Sequence, residues 1–163
     1  MEGICDKLKF DGLFTVFNEN KDGSLAMLWK DSVNVWIDSF STYHIDVIVY
    51  SGSVDAWRLT GFYGESDTSI RNKGWNMLRI LSSKPKLSWC CIGDFNELLH
   101  VQEKRGRQPM AHGLMQSFKD VLDHCAFMDL GYSSSNFTWH GRHRGELIWE
   151  RLDRGVVNYE WLS

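Results

Sequence analysis

Residues 87–92, Leu-Ser-Trp-Cys-Cys-Ile, form a short apolar run that ends in the polar sequence Gly93-Asp94-Phe95-Asn96-Glu97. A run of this length and character predicts a central strand buried on both faces. Such a strand needs a covering layer on each side. The flanking segments supply one kind of cover. Ile70, Gly74, Met77, Leu78 and Leu81 fall on one helical face, with Thr68 or Ser69 as a cap and Pro85 beyond the end. Leu114, Phe118, Val121, Leu122 and Cys125 repeat the helical spacing.

The first half of the chain has a different period. Leu25–Trp29 is a short apolar run, Val33, Val35 and Ile37 alternate, and Ile45–Tyr50 is β-branched and apolar. Gly52 and Ser53 mark a turn before a strand at Trp57–Tyr63. Short connections between these strands predict an antiparallel or mixed meander. Phe137–Trp139 and Ile148–Asp153 read as a later strand pair, and Asn158 as the cap of a last helix. There is no repeat, low-complexity tract or Pro-rich linker, so residues 1–163 are expected to form one domain of layered sheet and helix.

Composition excludes several classes. Apolar residues at 43% and charged residues at 24% are ordinary globular values, which argues against disorder. The net charge of −3 gives no global basic field, and the acidic excess lies in residues 1–100. No apolar stretch is long enough for a membrane helix, and MEGICDKLKF is not a secretory signal. Cys5, Cys90, Cys91 and Cys125 form no CxxC pair; they are expected as reduced thiols without a disulfide partner, in an intracellular protein, nuclear or cytoplasmic. Cys90 and Cys91, adjacent in one strand, should point to opposite faces. Trp29, Trp36, Trp57, Trp75, Trp89 and Trp139 lie in predicted elements and are expected in the core.

The chemistry-bearing stretch is the end of the central strand. Asp94 could serve as general base or metal partner, and Asn96 could donate to a phosphate oxygen. On an extended strand end, period two would place both side chains on one side. An Asp–Asn pair after a strand is equally a turn whose side chains bond the backbone, and both readings stand at this point.

Four ordered segments go further. GDFN at 93–96, WRLTGFY at 57–63, FTW at 137–139 and ERLDR at 150–154 together resemble the exonuclease–endonuclease–phosphatase family. With SLAMLW at 24–29, the order is most similar to the endonuclease domain of plant LINE-type (non-LTR) retrotransposon polyproteins, which is reverse transcriptase-associated. The resemblance implies a mixed α+β or α/β fold, a four-layer α-β-β-α sandwich of DNase I-like type. It implies a magnesium-dependent phosphodiesterase acting on DNA. Under it Asp94 would align or deprotonate the attacking water, Asn96 would hold the scissile phosphate and Tyr63 would donate to it. Asp153 would orient a catalytic histidine. Ser24 departs from a glycine usual in these retroelements.

The resemblance also implies what lies outside the sequence. An asparagine strand and a strand with the metal-binding glutamate would precede Met1, and Glu2 does not replace the latter. A Ser-Asp-His segment would follow Ser163. The domain is therefore expected to be partial and the sandwich incomplete, with unpaired edges, marginal stability and no complete metal site. As an isolated chain it is expected to be a catalytically silent remnant. The alternatives are a non-catalytic nucleic-acid-binding module, or a nuclease or phosphatase completed by missing sequence.

Lys104, Arg105 and Arg107 form a basic cluster that could touch a nucleic-acid backbone or simply line a solvated loop. His140 and His143 are expected in a polar loop, HGRHRGE, without the spacing of a metal site. Arg142, Arg144, Arg151 and Arg154 interleave with Glu146, Glu150 and Asp153, so some of these charges should pair.

Overall fold

The computed structural model describes residues 7, 9–17, 23–107 and 111–163. Cys5 and Glu2 lie outside the described residues. Three strands open the main sheet as a meander: β3 (Val35–Ser41), β4 (His44–Val49) and β5 (Trp57–Tyr63). Before them, β1 (Gly12–Val16) and β2 (Leu25–Trp29) pair as a separate antiparallel ribbon. Helix α1 (Asn72–Ser82) then carries the chain back so that β6 (Ser88–Asp94) runs parallel to β5. A crossover helix is what a parallel pair requires. After α2 (His112–His124) the chain adds β8 (Phe127–Asp129) and β11 (Asp153–Asn158), completing the order β3-β4-β5-β6-β11-β8. A small three-stranded sheet, β7 (Lys104–Arg105), β10 (Glu146–Glu150) and β9 (Trp139–His143), stands beside it.

The period-two pattern sorts the two faces. Phe62, Trp89, Cys91 and Val156 point to the helices and join Trp75, Leu78, Phe118 and Val121 in one core. Ile45, Val47 and Val49 point the other way, against Phe14, Val16, Leu25 and Met27 of the ribbon. Helices, main sheet and ribbon thus make three layers among the described residues. Cys90 and Cys91 do face opposite sides, and with Cys125 they are free, buried thiols. Burial pushes Cys125 up to about 11.

Several expectations change. The residue before α1 is Arg71, not Thr68 or Ser69, and it offers no side-chain cap; Ser69 bonds Asp67 through both its amide and its hydroxyl. The segment at 148–153 belongs to two strands, broken at Arg151-Leu152, where the chain passes from the small sheet to the main sheet. HGRHRGE is not a loop: it is the β9–β10 hairpin, closed by Arg144 and Gly145 at φ 50° and 86°. Two positive-φ residues match the right-handed twist of the strands. Trp36 and Trp139 are exposed, at 62% and 44%, not core. Asn158 does cap the closing 3₁₀ turn Tyr159–Leu162, accepting from the Trp161 amide.

Gly93 makes the parallel pairing possible. Its φ is +146°, and a Cβ there would lie 1.9 Å from the Phe62 carbonyl oxygen of the adjacent strand. Gly93→Ala is expected to destabilise by at least about 3 kcal/mol, since backbone strain and a backbone clash combine. Urea unfolding followed by far-UV circular dichroism checks this; a change below about 1 kcal/mol would contradict it.

Candidate active site

The site grows out of strand register. Tyr63 of β5 lies opposite Asp94 of β6, and Asp94 lies opposite Asp153 of β11. Register partners share a face, so these three side chains form one row across three neighbouring strands. It is the face that bears the ribbon, and Gly23, just before β2, approaches the Tyr63 ring closely enough that a Cβ would meet it at 3.1 Å. Ser24 beside it is exposed.

The loop after β6 is held from several directions. Phe95 is fully buried between Phe62 and Phe118, with ring centroids 5.0 and 5.5 Å away. Its amide donates to the Leu152 carbonyl at 3.0 Å. The Gly64 amide donates to the Asp94 carbonyl at 2.6 Å, and the Asn96 side-chain amide donates to the Gly64 carbonyl at 2.9 Å. Asn96 itself is at φ +53°, a left-handed conformation that Asn tolerates. The strand has ended by then, so the period-two placement of Asp94 and Asn96 does not apply. The Asp94 carboxylate accepts the Asn96 amide at 2.8 Å. The turn alternative is therefore present, and it coexists with the site: the same bonds that close the turn orient both side chains.

Thr138 links the FTW and RLD segments. Its hydroxyl accepts the amides of Leu152 and Asp153, both at 3.0 Å. Arg151 and Arg154 point inward. Arg154 bonds Glu103, Asp129 and the carbonyl of Glu97, while Arg151 bonds Glu103 and Asp129. Burial pushes Glu103 and Asp129 up, but the hydrogen bonds they accept outweigh it and hold both carboxyls below their ordinary range.

A cleft of about 640 Å³ opens here, lined by Tyr63, Arg71, Asp94, Asn96, Lys104 and Trp139 among others. Asp153 stands exposed beside Asp94. Of the basic cluster, only Lys104 reaches the cleft, and it is paired with Glu150 at 2.7 Å. Arg105 is exposed on β7, and Arg107 is exposed with Glu146 at 3.7 Å. Arg71, Glu97 and Glu150 also line the cleft without having been singled out. Glu97 directly follows GDFN, and Arg71 is a charged residue at the start of an amphipathic helix; these were the available signals. Arg71 pairs with Glu97 at 2.6 Å. Both cleft cations are thus neutralised internally, and Asp94 adds negative charge.

Magnesium prefers a few carboxylates completed by water and phosphate oxygens. Asp94 and Asp153 are the acidic side chains of the row, and one Asp94 oxygen is already taken. Among the described residues no group of three or more His, Cys, Asp or Glu side chains is placed to hold a metal.

No family model matches the chain, and no curated protein matches it. Solved structures do. The endonuclease domain of TRAS1, a telomere-specific non-LTR retrotransposon, aligns with a TM-score of 0.67 at 13% identity, over 99% of this chain and 78% of that one. The 3′ phosphatase NExo from Neisseria, bound to a product DNA hairpin, aligns at 0.60 and 14%, over 96% and 70%. TDP2 from D. rerio, complexed with single-strand DNA product, aligns at 0.56 and 12%, over 99% and 67%. At such identities the likeness establishes the fold: α+β, DNase I-like. No helix among the described residues is long and apolar enough to cross a membrane.

Burial pushes the Asp94 carboxyl above its ordinary 3.8, against the Asn96 amide bond that lowers it, and Asp153 pushes it further up. A carboxyl raised on folding costs no stability below its unfolded value. The cost builds as pH rises from the unfolded toward the folded value and is complete above the folded value. Asp94→Asn keeps an oxygen for the Asn96 amide and removes the charge. The variant is expected to be more stable than the parent at pH 7, with the gain vanishing below about pH 3.8. Urea midpoints at both pH values test this, and a lower midpoint at pH 7 would refute it.

Proposed function

We propose that the chain is a phosphodiesterase-type scaffold of the retroelement endonuclease class, built to hold a nucleic-acid phosphate but catalytically silent as this chain. The row Tyr63–Asp94–Asp153, with Asn96 beside it, carries the reading. It matches the residues that the resemblance to plant LINE-type endonucleases assigns to the phosphate and the attacking water. The fold shared with the TRAS1 endonuclease domain and NExo supports it.

Silence follows from the electrostatics of the cleft. A phosphodiester brings negative charge to a site whose cations, Arg71 and Lys104, are already paired. The magnesium that the resemblance implies would offset that charge, but among the described residues no group of three or more His, Cys, Asp or Glu side chains stands ready to hold it. No hydrogen bond or ion pair of Asp153 runs to a histidine among the described residues, so Asp153 orients no proton carrier there.

The second reading, a nucleic-acid-binding module without chemistry, has its own observation. The β9–β10 hairpin exposes Trp139 and Trp149, with His140 stacked on Trp149 at 5.0 Å, beside exposed Arg142 and Arg144. Exposed aromatics among arginines suit stacking on bases.

Incubation of the purified chain with supercoiled plasmid and magnesium is expected to give no nicking above an Asp94→Ala control. Nicking that the Asp94→Ala substitution abolishes would overturn the silence. Fluorescence titration with single-stranded DNA at low salt tests the binding reading, with binding expected to weaken as salt rises.

A further inference from the structure

We infer that Arg71 is a positioning residue that locks the two loops carrying Gly64 and Asn96 into one rigid unit. This rests on the reading of the cleft given above. Arg71 is the residue before α1, so its Cα is fixed by the helix that bridges β5 and β6. Its guanidinium spans both loops. Nε donates to the Glu65 carbonyl at 2.9 Å and Nη2 to the Ser66 carbonyl at 2.8 Å, in the loop after β5. Nη1 donates to Glu97 Oε2 at 2.6 Å, in the loop after β6. Glu97 Oε1 in turn accepts the Leu98 amide at 2.9 Å.

The same two loops meet directly through the Asn96 side chain and the Gly64 carbonyl. Beside it stands the Gly64 amide donating to the Asp94 carbonyl at 2.6 Å; both are neutral bonds, and Asn96 is held at positive φ. The fork adds three donors to these two bonds, one of them aimed at a carboxylate, and the side chain is only 10% exposed. Charge-assisted bonds of this kind are roughly twice as strong as neutral ones. A lysine could keep the charge near Glu97 but has no planar fork to reach both carbonyls. Arg71 also lowers the Asp94 pKa, so charge and geometry have separate signatures.

The test uses the chain alone. Amide hydrogen exchange and the Asn96 side-chain resonances are followed by NMR, together with the Asp94 carboxyl titration, in the parent, Arg71→Met and Arg71→Lys. Arg71→Met is expected to speed exchange at Asn96 and Leu98 by about tenfold or more, shift the Asn96 side-chain amide, and raise the Asp94 titration midpoint. Amides of Val47 and Val49 in β4 should be unchanged, which separates positioning from general loss of stability. Arg71→Lys should restore the Asp94 titration but leave Asn96 and Leu98 fast. Unchanged exchange at both residues in Arg71→Met would overturn the inference. So would full recovery of slow exchange in Arg71→Lys, or equal acceleration of the β4 amides. None of these readouts depends on nucleic acid, so the inference can stand if the phosphate-holding reading fails, and the reverse.

Discussion

The parallel pairing of β5 with β6 is the constraint on which the rest of the molecule depends. It is the parallel pair of a main sheet whose other pairings are antiparallel. Two strands that run the same way end at the same edge, so Tyr63 and Asp94 emerge together, as do the loops that follow them. In mixed α/β sheets the carboxyl ends of parallel strands are where ligands collect, because the chain must leave the sheet there and exposes polar backbone as it does. The antiparallel β11 then enters from the same edge and contributes Asp153 at its first position. A meander throughout would have scattered these residues between opposite ends.

That pairing is held by unlike forces at its two ends. Near the site, apolar packing dominates: Phe95 fills the space between Phe62 and Phe118, so the loop is anchored by its most apolar residue. Toward the opposite end the helix-facing layer is polar. Asp46 is fully buried and accepts from Thr60 at 2.6 Å and Lys84 at 3.0 Å, while Trp89 donates its indole to Thr60 at 2.8 Å. Buried charges of this sort contribute little net stability against an apolar replacement, but removing one partner strands the other. The Arg151–Arg154–Glu103–Asp129 network follows the same rule. It fixes β7, β8 and β11 relative to one another, and through the Glu97 carbonyl it reaches the site loop.

Much of the fold was legible because burial and period agree. Trp57–Tyr63 and the two helices carry an unmixed pattern, and the structure reproduces them closely. The failures share a cause: tertiary context overrode local signal. The segment at 148–153 is continuously strand-like, yet Arg151 turns inward to the carboxylates and breaks it. β1 has no period strong enough to announce it, since every residue is half-buried. HGRHRGE has loop composition but becomes a hairpin because its turn residues can adopt positive φ. At the site, Asp94, Asn96, Tyr63 and Asp153 were singled out through motif resemblance; strand register sets Tyr63, Asp94 and Asp153 in one row, while the turn after β6 holds Asn96. Arg71 and Glu97 were not singled out because their pairing is a contact between residues 26 apart.

The electrostatic state of the cleft follows from the same economy. A site that binds phosphate on cations needs those cations unpaired, which is costly in a buried, low-dielectric place. Here each cleft cation is matched by a carboxylate, Arg71 by Glu97 in the loop after β6 and Lys104 by Glu150, its cross-strand partner. The Arg71 pairing spans the loops after β5 and β6, and both pairings set a negative charge beside each cation. A cleft arranged in this way holds geometry well and attracts anions poorly, and what it lacks is positive charge that arrives from outside. The orientation of Asp94 and Asn96 rests on backbone bonds and aromatic packing within the chain itself, and strand register sets Tyr63 beside them.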